Sequence, residues 1–261
     1  MNPHLGLSDY YLEVARGYVP NAITVHKFGE GDGIDTADGI VDIWDGTSDL
    51  VASPIKTYTW STTADIDTIS SSNDSDTMDV EIQGLDENWD LVLQTVTVDG
   101  QTKVTLPTPL IRVFRMKNVG TTNILGNLFC YVDTAIVGGI PTDGSKVRAI
   151  IRDGHNQTQM ALYSVPRGYS LFIKLGWSTI AGKNTTANIG IFIKVRSFGS
   201  VFRELHTTAL LSAGNSVSTR PYEIPLKLEE KTDIIYSCGV TQNDTAVSSG
   251  FHGILIPDGS R

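Results

Sequence analysis

The sequence of 261 residues lacks any long apolar run. No stretch approaches the ~18 apolar residues that a membrane-spanning helix needs, which argues against an integral membrane protein. Residues 1–20 contain Asp9, Glu13 and Arg16 and no apolar core of 7–15 residues, so they do not read as a secretory signal. We therefore expect a protein that is made in the cytoplasm and stays there until it joins a partner, without contact to a membrane.

Cysteine is scarce, and its spacing excludes a zinc site. The two cysteines, Cys130 and Cys238, are 108 positions apart and have no metal-binding spacing. A disulfide is one alternative, but two thiols in a cytoplasmic product argue against it. We expect both to be small buried apolar side chains.

The sequence also lacks the common catalytic motifs. It contains no G-x-S-x-G, no phosphate-binding loop, no G-x-G-x-x-G and no zinc spacing. Paired carboxylates of a glycosidase were considered at two places, Asp86/Glu87/Asp90 and Asp65/Asp67, but these acids lie in predicted turns or short strands. We predict no enzyme activity, no cofactor and no catalytic, cofactor-binding or metal-ligating residues. The histidines are expected to be surface or hydrogen-bonded core residues: His4, His26, His155, His206 and His252.

An acidic, glycine-containing segment over residues 32–42 raises the question of calcium. Its four aspartates are Asp32, Asp35, Asp38 and Asp42. They recur every third or fourth residue, whereas an EF-hand loop places ligands at every second position and ends in glutamate. We expect a solvated loop, and a structural calcium site of another kind stays open as the alternative.

What the chain does have is a dense series of short strands. In residues 78–116, alternation of apolar and polar residues predicts four strands, and Asp99-Gly100 predicts a hairpin turn between two of them. A further strand is expected at 58–61, and a Pro-Thr-Pro break at 107–109. About eight more strands follow at intervals of roughly 10–15 residues, typical of a sandwich or jelly roll. In the predicted strand 187–196, Ile189, Ile191 and Ile193 face the core, and Phe192 is expected to be exposed on the other face.

Seven stretches, in this order, carry a resemblance that runs from about residue 24 to about 256: VHKFGEGDGIDTADGIVDIWDG, VEIQGLDENWDLVLQTVTVDGQTKV, LIRVFRMKNVG, HNQTQMALYSVPRGYSLFI, VRSFGSVF, KTDIIYSCG and SSGFHGILI. In these stretches the chain resembles a family of tailed-bacteriophage virion structural proteins, of the capsid decoration or head-fibre type. The family is known for its place in the particle rather than for a reaction. The resemblance implies a virion location after synthesis in the host cytoplasm, and a homo-oligomer, most simply a trimer.

The predicted fold is all-β: a jelly-roll-like antiparallel β-sandwich with a short N-terminal helical arm. We predict an arm at 1–20, an acidic β module at 21–135 and a jelly-roll-like β module at 136–261. The alternative is that the two modules form one sandwich. Ser8 can cap a helix over 9–16, whose apolar face is Tyr11, Leu12 and Ala15. That face docks either on its own chain or on a neighbour. Residues 29–57 are expected to form a long ordered loop with Ile43-Trp44 buried.

Charge is unevenly distributed along the chain. Residues 1–106 carry 19 acidic and 4 basic residues, a net −15, while residues 107–261 carry 10 and 16, a net +6. The acidic half argues against nucleic-acid binding. The split indicates either two solvated surfaces of different composition, or charge complementarity between subunits or between this protein and a capsid. In the second case Arg112, Arg115 and Lys117 form a basic cluster beside a strand end. Lys27 and Lys56 lie outside that cluster.

The sequence therefore predicts a non-enzymatic virion structural protein that decorates or stabilises the capsid exterior. Its expected partners are copies of itself and the major capsid protein or another virion protein. The alternative is a tail- or fibre-associated protein that binds a host surface glycan through its loops.

Overall fold

The computed structural model describes residues 10–48, 54–182, 188–211 and 216–259. Within these residues the chain is built of antiparallel strands and one short α-helix, with three turns of 3-10 helix at Thr36–Asp38, Asp45–Thr47 and Gly144–Lys146. The elements are α1 (Tyr10–Ala15), β1 (Ile23–Ile34), β2 (Ile40–Asp42), β3 (Ile66–Ser71), β4 (Asp79–Leu85), β5 (Leu91–Thr97), β6 (Val104–Leu110), β7 (Arg112–Asn118), β8 (Leu128–Val132), β9 (Ile136–Val137), β10 (Ile140–Pro141), β11 (Val147–Ile151), β12 (Leu162–Ser164), β13 (Tyr169–Gly182), β14 (Asn188–Arg196), β15 (Arg203–Leu211), β16 (Ser216–Leu228), β17 (Asp233–Val240) and β18 (Thr245–Pro257).

Eight of these strands form a jelly roll. One sheet has the order β1-β18-β13-β16 and the other β12-β17-β14-β15. Numbered one to eight along the chain, these strands lie in the orders 1-8-3-6 and 2-7-4-5, so the connections cross repeatedly between the two sheets. Eight antiparallel strands wound in this way make a jelly roll. The predicted all-β, jelly-roll-like sandwich is confirmed.

Residues 35–161 are inserted between the first two jelly-roll strands. They form a four-stranded sheet, β11-β8-β3-β6, a three-stranded sheet, β5-β4-β7, and the short hairpin β9–β10. The insertion is tied to the jelly roll because β2 pairs with β17 and Trp44 bridges Met160. One continuous apolar core runs through both parts.

The hydrogen-bonded sheets do not divide at the predicted module boundary near residue 135. Strands β1 and β2 precede that boundary, yet they pair with β18 and β17 near the C-terminal end of the chain. The division of the chain into separate folding units at 135/136 stays a prediction.

The alternation in β14 places its isoleucines as predicted, but the prediction for Phe192 was wrong. Ile189, Ile191 and Ile193 are buried, whereas Phe192 is half-buried rather than exposed. A Cβ atom on Gly190 would lie 3.0 Å from the Phe192 ring, so the ring covers the glycine two residues earlier on the same face. Because Gly190 has no side chain, there is room for the Phe192 ring over it. Less of that ring is exposed to solvent than the sequence suggested.

Three local predictions in the insertion were wrong. Residues 29–57 are not one long loop, because β1 continues to Ile34 and β2 follows, although Ile43 and Trp44 are fully buried as predicted. Residues 58–61 form no strand. The turn at Asp99-Gly100 exists, with Gly100 at φ +53° and the Thr102 amide donating to the Asp99 carbonyl, but the strands it joins belong to different sheets.

The Pro-Thr-Pro sequence does not interrupt β6. Pairing with β3 shifts register between Thr105 and Leu110, which accommodates residues 107–109 in an irregular stretch of strand. The Gln94 side chain donates to the Thr108 carbonyl and accepts from its amide, both at 2.9 Å. The Gln94 side chain therefore satisfies the backbone amide and carbonyl of Thr108, which no described neighbouring strand bonds at this position.

The N-terminal helix is confirmed over Tyr10–Ala15, while Ser8 and Asp9 lie outside the described residues. It contacts β1 of its own chain, and the Lys174 ammonium lies 5.4 Å from the Tyr11 ring centroid. The predicted docking face was wrong in detail, because the buried residue is Val14 and Leu12 is 46% exposed. No described helix is long and apolar enough to cross a membrane.

Candidate functional surfaces

The described histidines do not form a catalytic constellation. His26 and His252 face each other across β1 and β18, with ring centroids 4.2 Å apart. His155 Nδ1 contacts the Gln159 amide, and His206 Nδ1 contacts the Arg220 guanidinium, so neither ring meets a carboxylate. His4 lies outside the described residues.

The carboxylates considered for glycosidase chemistry hold turns together. Asp86 Oδ1 accepts from the amides of Asn88 and Asp90, which fixes the β4–β5 turn. Asp90 forms an exposed ion pair with Arg167 at 2.9 Å. Asp67 Oδ1 accepts from the Thr68 hydroxyl and the Asp133 amide. Asp65 Oδ2 accepts from the Thr63 hydroxyl, while its buried Oδ1 has no hydrogen-bond partner among the described residues. The other oxygens serve backbone and neighbouring side chains.

The four aspartates of the segment 32–42 point to different partners. Asp32 Oδ1 accepts from the adjacent amide of Gly33, and Asp35 Oδ1 accepts from the Asp244 amide. Asp38 pairs with Lys56 at 3.0 Å, and Asp42 accepts from the Ser237 hydroxyl and the Tyr58 amide. Among the described residues, no three acid, histidine or cysteine side chains are grouped to hold a metal ion. Both cysteines are free and buried.

Part of the charge asymmetry is compensated inside the chain. Arg152, in the basic half, donates to buried Asp45 at 2.9 Å and to Glu30 at 2.8 Å, both in the acidic half. Two residues chosen from sequence as surface charges are buried, Arg112 at 5% exposure and Lys27 at 4%. The Lys27 ammonium donates to the Phe114 carbonyl, and burial holds its pKa well below the ordinary value. Reversing either charge would test folding rather than association. The prediction of a surface cluster at 112–117 was therefore wrong for Arg112, whereas Arg115 is half-buried and Lys117 is exposed.

Arg112 instead forms a buried ionic cluster with Asp233. Its Nε and Nη2 donate to the two carboxylate oxygens at 2.9 and 3.0 Å, and its Nη1 donates to the carbonyls of Ser61 and Ile111. Arg196, opposite Asp233 in the β14–β17 pair, donates to the same carboxylate. A bidentate pair of this kind, in which each nitrogen of the Arg112 guanidinium donates, is the geometry in which buried charges are tolerated.

Aromatic rings enclose this ionic cluster. The Arg112 guanidinium carbon lies 5.1 Å from the Trp60 ring centroid and 4.7 Å from that of Trp89, so the side chain is placed between two indoles. Arg196 lies 4.5 Å from Phe202. Such contacts contribute about 0.5–1 kcal/mol at exposed sites and about 2 kcal/mol or more where the cation is desolvated.

A groove of about 260 Å³ opens above the cluster and contains an exposed ring. Phe198, in the β14–β15 turn, is 65% exposed and meets Trp89 edge to face at 5.6 Å. The Lys231 ammonium lies 5.0 Å from the Phe198 centroid. Lys231 has φ +57° in the β16–β17 turn, and its amide donates to the Val165 carbonyl, which fixes the backbone at this position. We call this feature the Arg–aromatic groove, formed by Trp60, Trp89, Arg112, Arg196, Phe198, Lys231 and Asp233.

Sequence reasoning did not find the Arg–aromatic groove. Its parts come from the coil before β3, the β4–β5 turn, β7, the end of β14 with the β14–β15 turn, and the β16–β17 turn with the start of β17. No local spacing relates these five regions of the chain to one another. A charged residue at the start of an apolar strand, Asp233 before Ile234 and Ile235, is the only signal in the sequence that could have indicated a buried ion pair.

A second surface is the flank where both jelly-roll sheets end. Strand β15 ends one sheet and β16 ends the other, and each pairs with a single neighbour among the described strands. Ile224 is 87% exposed, and Val217 and Leu211 are 66% and 67% exposed. We call this the β15/β16 flank. Unpaired strand edges with exposed apolar side chains are sites of further association.

The interior of the β15/β16 flank is polar and incompletely covered. Arg220 extends between the sheets, contacting His206 Nδ1 at 3.2 Å and donating to the Thr208 hydroxyl at 3.2 Å. Tyr222 packs beside His206 with centroids 5.7 Å apart. All four side chains are half-buried, whereas the opposite side of the jelly roll is packed against the insertion.

No family model and no curated protein sequence matches the chain. Solved structures with weak similarity come from infectious bursal disease virus. A chain of the Gt strain structure is 11% identical, covering 97% of this chain and 79% of that one with a TM-score of 0.25. A chain of the VP2 subviral particle is 10% identical, with coverages of 97% and 79% and a TM-score of 0.24. At these TM-scores we take no function from the viral proteins, and the resemblance to phage virion proteins stays a prediction.

Proposed function

We propose that the chain is a non-enzymatic virion structural protein that decorates or stabilises the outside of a tailed-phage capsid. Its jelly roll is an architecture found in viral capsid and lectin domains. Because fold alone does not determine function, the proposal depends on the resemblance in sequence and on the surfaces of this chain.

The observation that carries self-association is the β15/β16 flank. Two sheets end on the same side of the sandwich in strands of 9 and 13 residues, with exposed apolar side chains and a half-buried polar interior. A second copy of the chain is the occupant we propose, and a closed ring of three is the simplest assembly that the resemblance implies. Pro221 and Pro225 remove two amide donors from β16, so we expect side-chain packing there and strand contacts mainly at β15.

Sedimentation of the purified chain at micromolar concentration tests self-association. We expect a species of three times the 28.3 kDa chain mass. Ile224→Glu places a charge at the centre of the flank and should yield monomers, while Val137→Glu changes a side chain of similar exposure, 72%, on the β9–β10 hairpin and should leave assembly intact. A monomeric wild-type chain would contradict self-association.

Electron microscopy of particles that carry a gold-labelled tag on this chain tests its place in the virion. Label over the head surface supports capsid decoration. Label at the tail tip would contradict decoration and support the second candidate below. Particles without label would contradict a virion role altogether.

The second candidate function is binding of a surface glycan, as in a tail- or fibre-associated protein. The Arg–aromatic groove favours it, because an exposed aromatic ring beside polar groups is suited to a sugar ring, which has an apolar face and a hydroxyl rim.

A further inference from the structure

We propose that the Arg–aromatic groove binds a sugar that carries a carboxylate, such as a uronic acid unit of a bacterial surface polysaccharide. The proposal rests on the second candidate function, glycan binding, and names its ligand and its site. It is independent of assembly through the β15/β16 flank.

The net positive charge of the groove favours an anionic ligand. Among the described residues that line the groove, Asp233 is the one carboxylate; its Oδ1 accepts from Arg112 and Ser164, and its Oδ2 accepts from Arg112 and Arg196. Each nitrogen of the Arg112 guanidinium donates, since Nη1 is bonded to two backbone carbonyls. Arg196 uses Nε and Nη2, and its side chain keeps 26% exposure. Lys231 adds a further cation, so the groove holds three positive charges and one negative charge in a protein of net −9.

The exposed ring and the unneutralised cations are close enough to act on one ligand. Lys231 Nζ is 5.0 Å from the Phe198 centroid, so a ring stacked beside Phe198 lies within reach of the ammonium. The edge-to-face contact with Trp89, at an interplanar angle of 87°, holds Phe198 in its orientation. Besides the ligand's loss of translational and rotational freedom, binding is opposed mainly by the loss of water and the ordering of the Lys231 side chain, because most of the site is already fixed.

The size and rim of the groove favour a monosaccharide unit over a peptide. A volume of about 260 Å³ is below the roughly 300–1,000 Å³ of clefts that hold drug-sized ligands. Thr62 and Ser200 line the groove, are exposed, and supply hydroxyl groups that match sugar hydroxyls. An acidic peptide would need an elongated site, and an unpaired strand edge would suit it better.

Matched ligands isolate the carboxylate. Binding of the methyl glycosides of glucuronic and galacturonic acid is measured by ligand-observed NMR on the full chain, each beside the neutral glucoside or galactoside. We expect at least one uronide to bind about five- to tenfold more tightly than its neutral counterpart, where tenfold corresponds to about 1.4 kcal/mol. Equal binding of the acid and neutral sugars would overturn the proposal while leaving glycan binding in place.

Two variants and two controls place the ligand in the groove. Lys231→Gln should weaken uronide binding about fivefold and leave the neutral sugar unchanged, because it removes a charge at the rim. Phe198→Ala should weaken both sugars. Lys227→Gln removes the charge of an exposed lysine outside the groove, Leu125→Ala truncates an apolar side chain about as exposed as Phe198, and neither should change binding. Thermal unfolding confirms that each variant is folded.

The remaining outcomes also decide the question. Failure of every sugar to bind at millimolar concentration would overturn both this proposal and the glycan candidate. Displacement of a bound uronide by tetraglutamate at lower concentration would overturn it in favour of an acidic protein partner. Unchanged uronide binding by Lys231→Gln and Phe198→Ala would place the sugar elsewhere.

Discussion

Replacing Asp233 by asparagine should destabilise the protein more than removing any other single charge of the Arg–aromatic groove. The carboxylate is 2% exposed and neutralises Arg112, whose side chain is 6% exposed, and it also accepts from Arg196. Asparagine preserves the shape but leaves two guanidiniums without an anion. Removing one partner of a buried ion pair costs about 3–5 kcal/mol.

That loss is large relative to the ~5–15 kcal/mol of a typical folded protein. For a chain of this size, each kcal/mol lowers the melting temperature by about 2–4 °C, so we expect a decrease of about 6–20 °C. The matched control is Asp90→Asn, which breaks the Asp90–Arg167 pair with side chains 48% and 52% exposed. An exposed pair contributes about 0–1 kcal/mol, so the control should melt within a few degrees of wild type.

Urea unfolding followed by tryptophan fluorescence measures both variants, because Trp60 and Trp89 contact Arg112 directly. The expected difference between the two variants is at least ~2 kcal/mol. If Asp233→Asn were within 1 kcal/mol of Asp90→Asn, the cluster would not be a buried electrostatic element, and the preorganised groove built on it would lose its basis.

Two further predictions concern pH and assembly. The pKa of His26 is lowered, first by burial and then by the charges of His252 and Arg115. The unfolded chain therefore binds more protons than the folded one, and stability should be lost as pH falls below about 6.5. His26→Asn should make the free energy of unfolding in urea depend less on pH between about 5.5 and 7.5, and an unchanged dependence would show that the histidine pair is not responsible. Ile224→Glu should abolish the oligomer and change the stability of the monomer by no more than about 0.5 kcal/mol. Val137→Glu should leave both the oligomer and the stability unchanged. Loss of assembly together with loss of stability in Ile224→Glu would indicate misfolding instead.

Most of the fold could be predicted because its strands alternate. The isoleucines of β14 and the alternating residues of β4 report the buried face directly, since side chains in a strand point to opposite faces in turn. In β5 the pattern misleads, because Leu91 and Leu93 are exposed and Gln94 is buried. The short helix was found from its capping pattern and the glycine that ends it. These signals are local, and they place strands without saying which strands pair.

Pairing was the part that the sequence did not predict. The Asp99-Gly100 turn looks like a hairpin, but β5 joins β4 and β6 joins β3, because packing in the two sheets of the insertion outweighs the turn. Likewise β1 pairs with β18 across more than 200 residues, and no pattern in either strand indicates this partner.

The surfaces were harder still to predict, since they depend on burial. Arg112 and Lys27 look like ordinary surface cations in the sequence, and only the fold shows the Asp233 carboxylate beside one and the Phe114 carbonyl beside the other. The open flank is a property of two strand edges, and periodicity in a strand does not distinguish an edge from a centre.

Amide hydrogen exchange along β15 tests the central claim, assembly through the β15/β16 flank, most directly. The exchange rates of residues 203–211 are compared at a micromolar concentration, where the wild-type chain should be assembled, and after dilution, with Ile224→Glu as the monomeric reference. We predict slow exchange in the assembled wild type that becomes fast on dilution and matches the variant. An oligomer whose β15 amides exchange as fast as those of the monomer would show that the chain assembles through another surface.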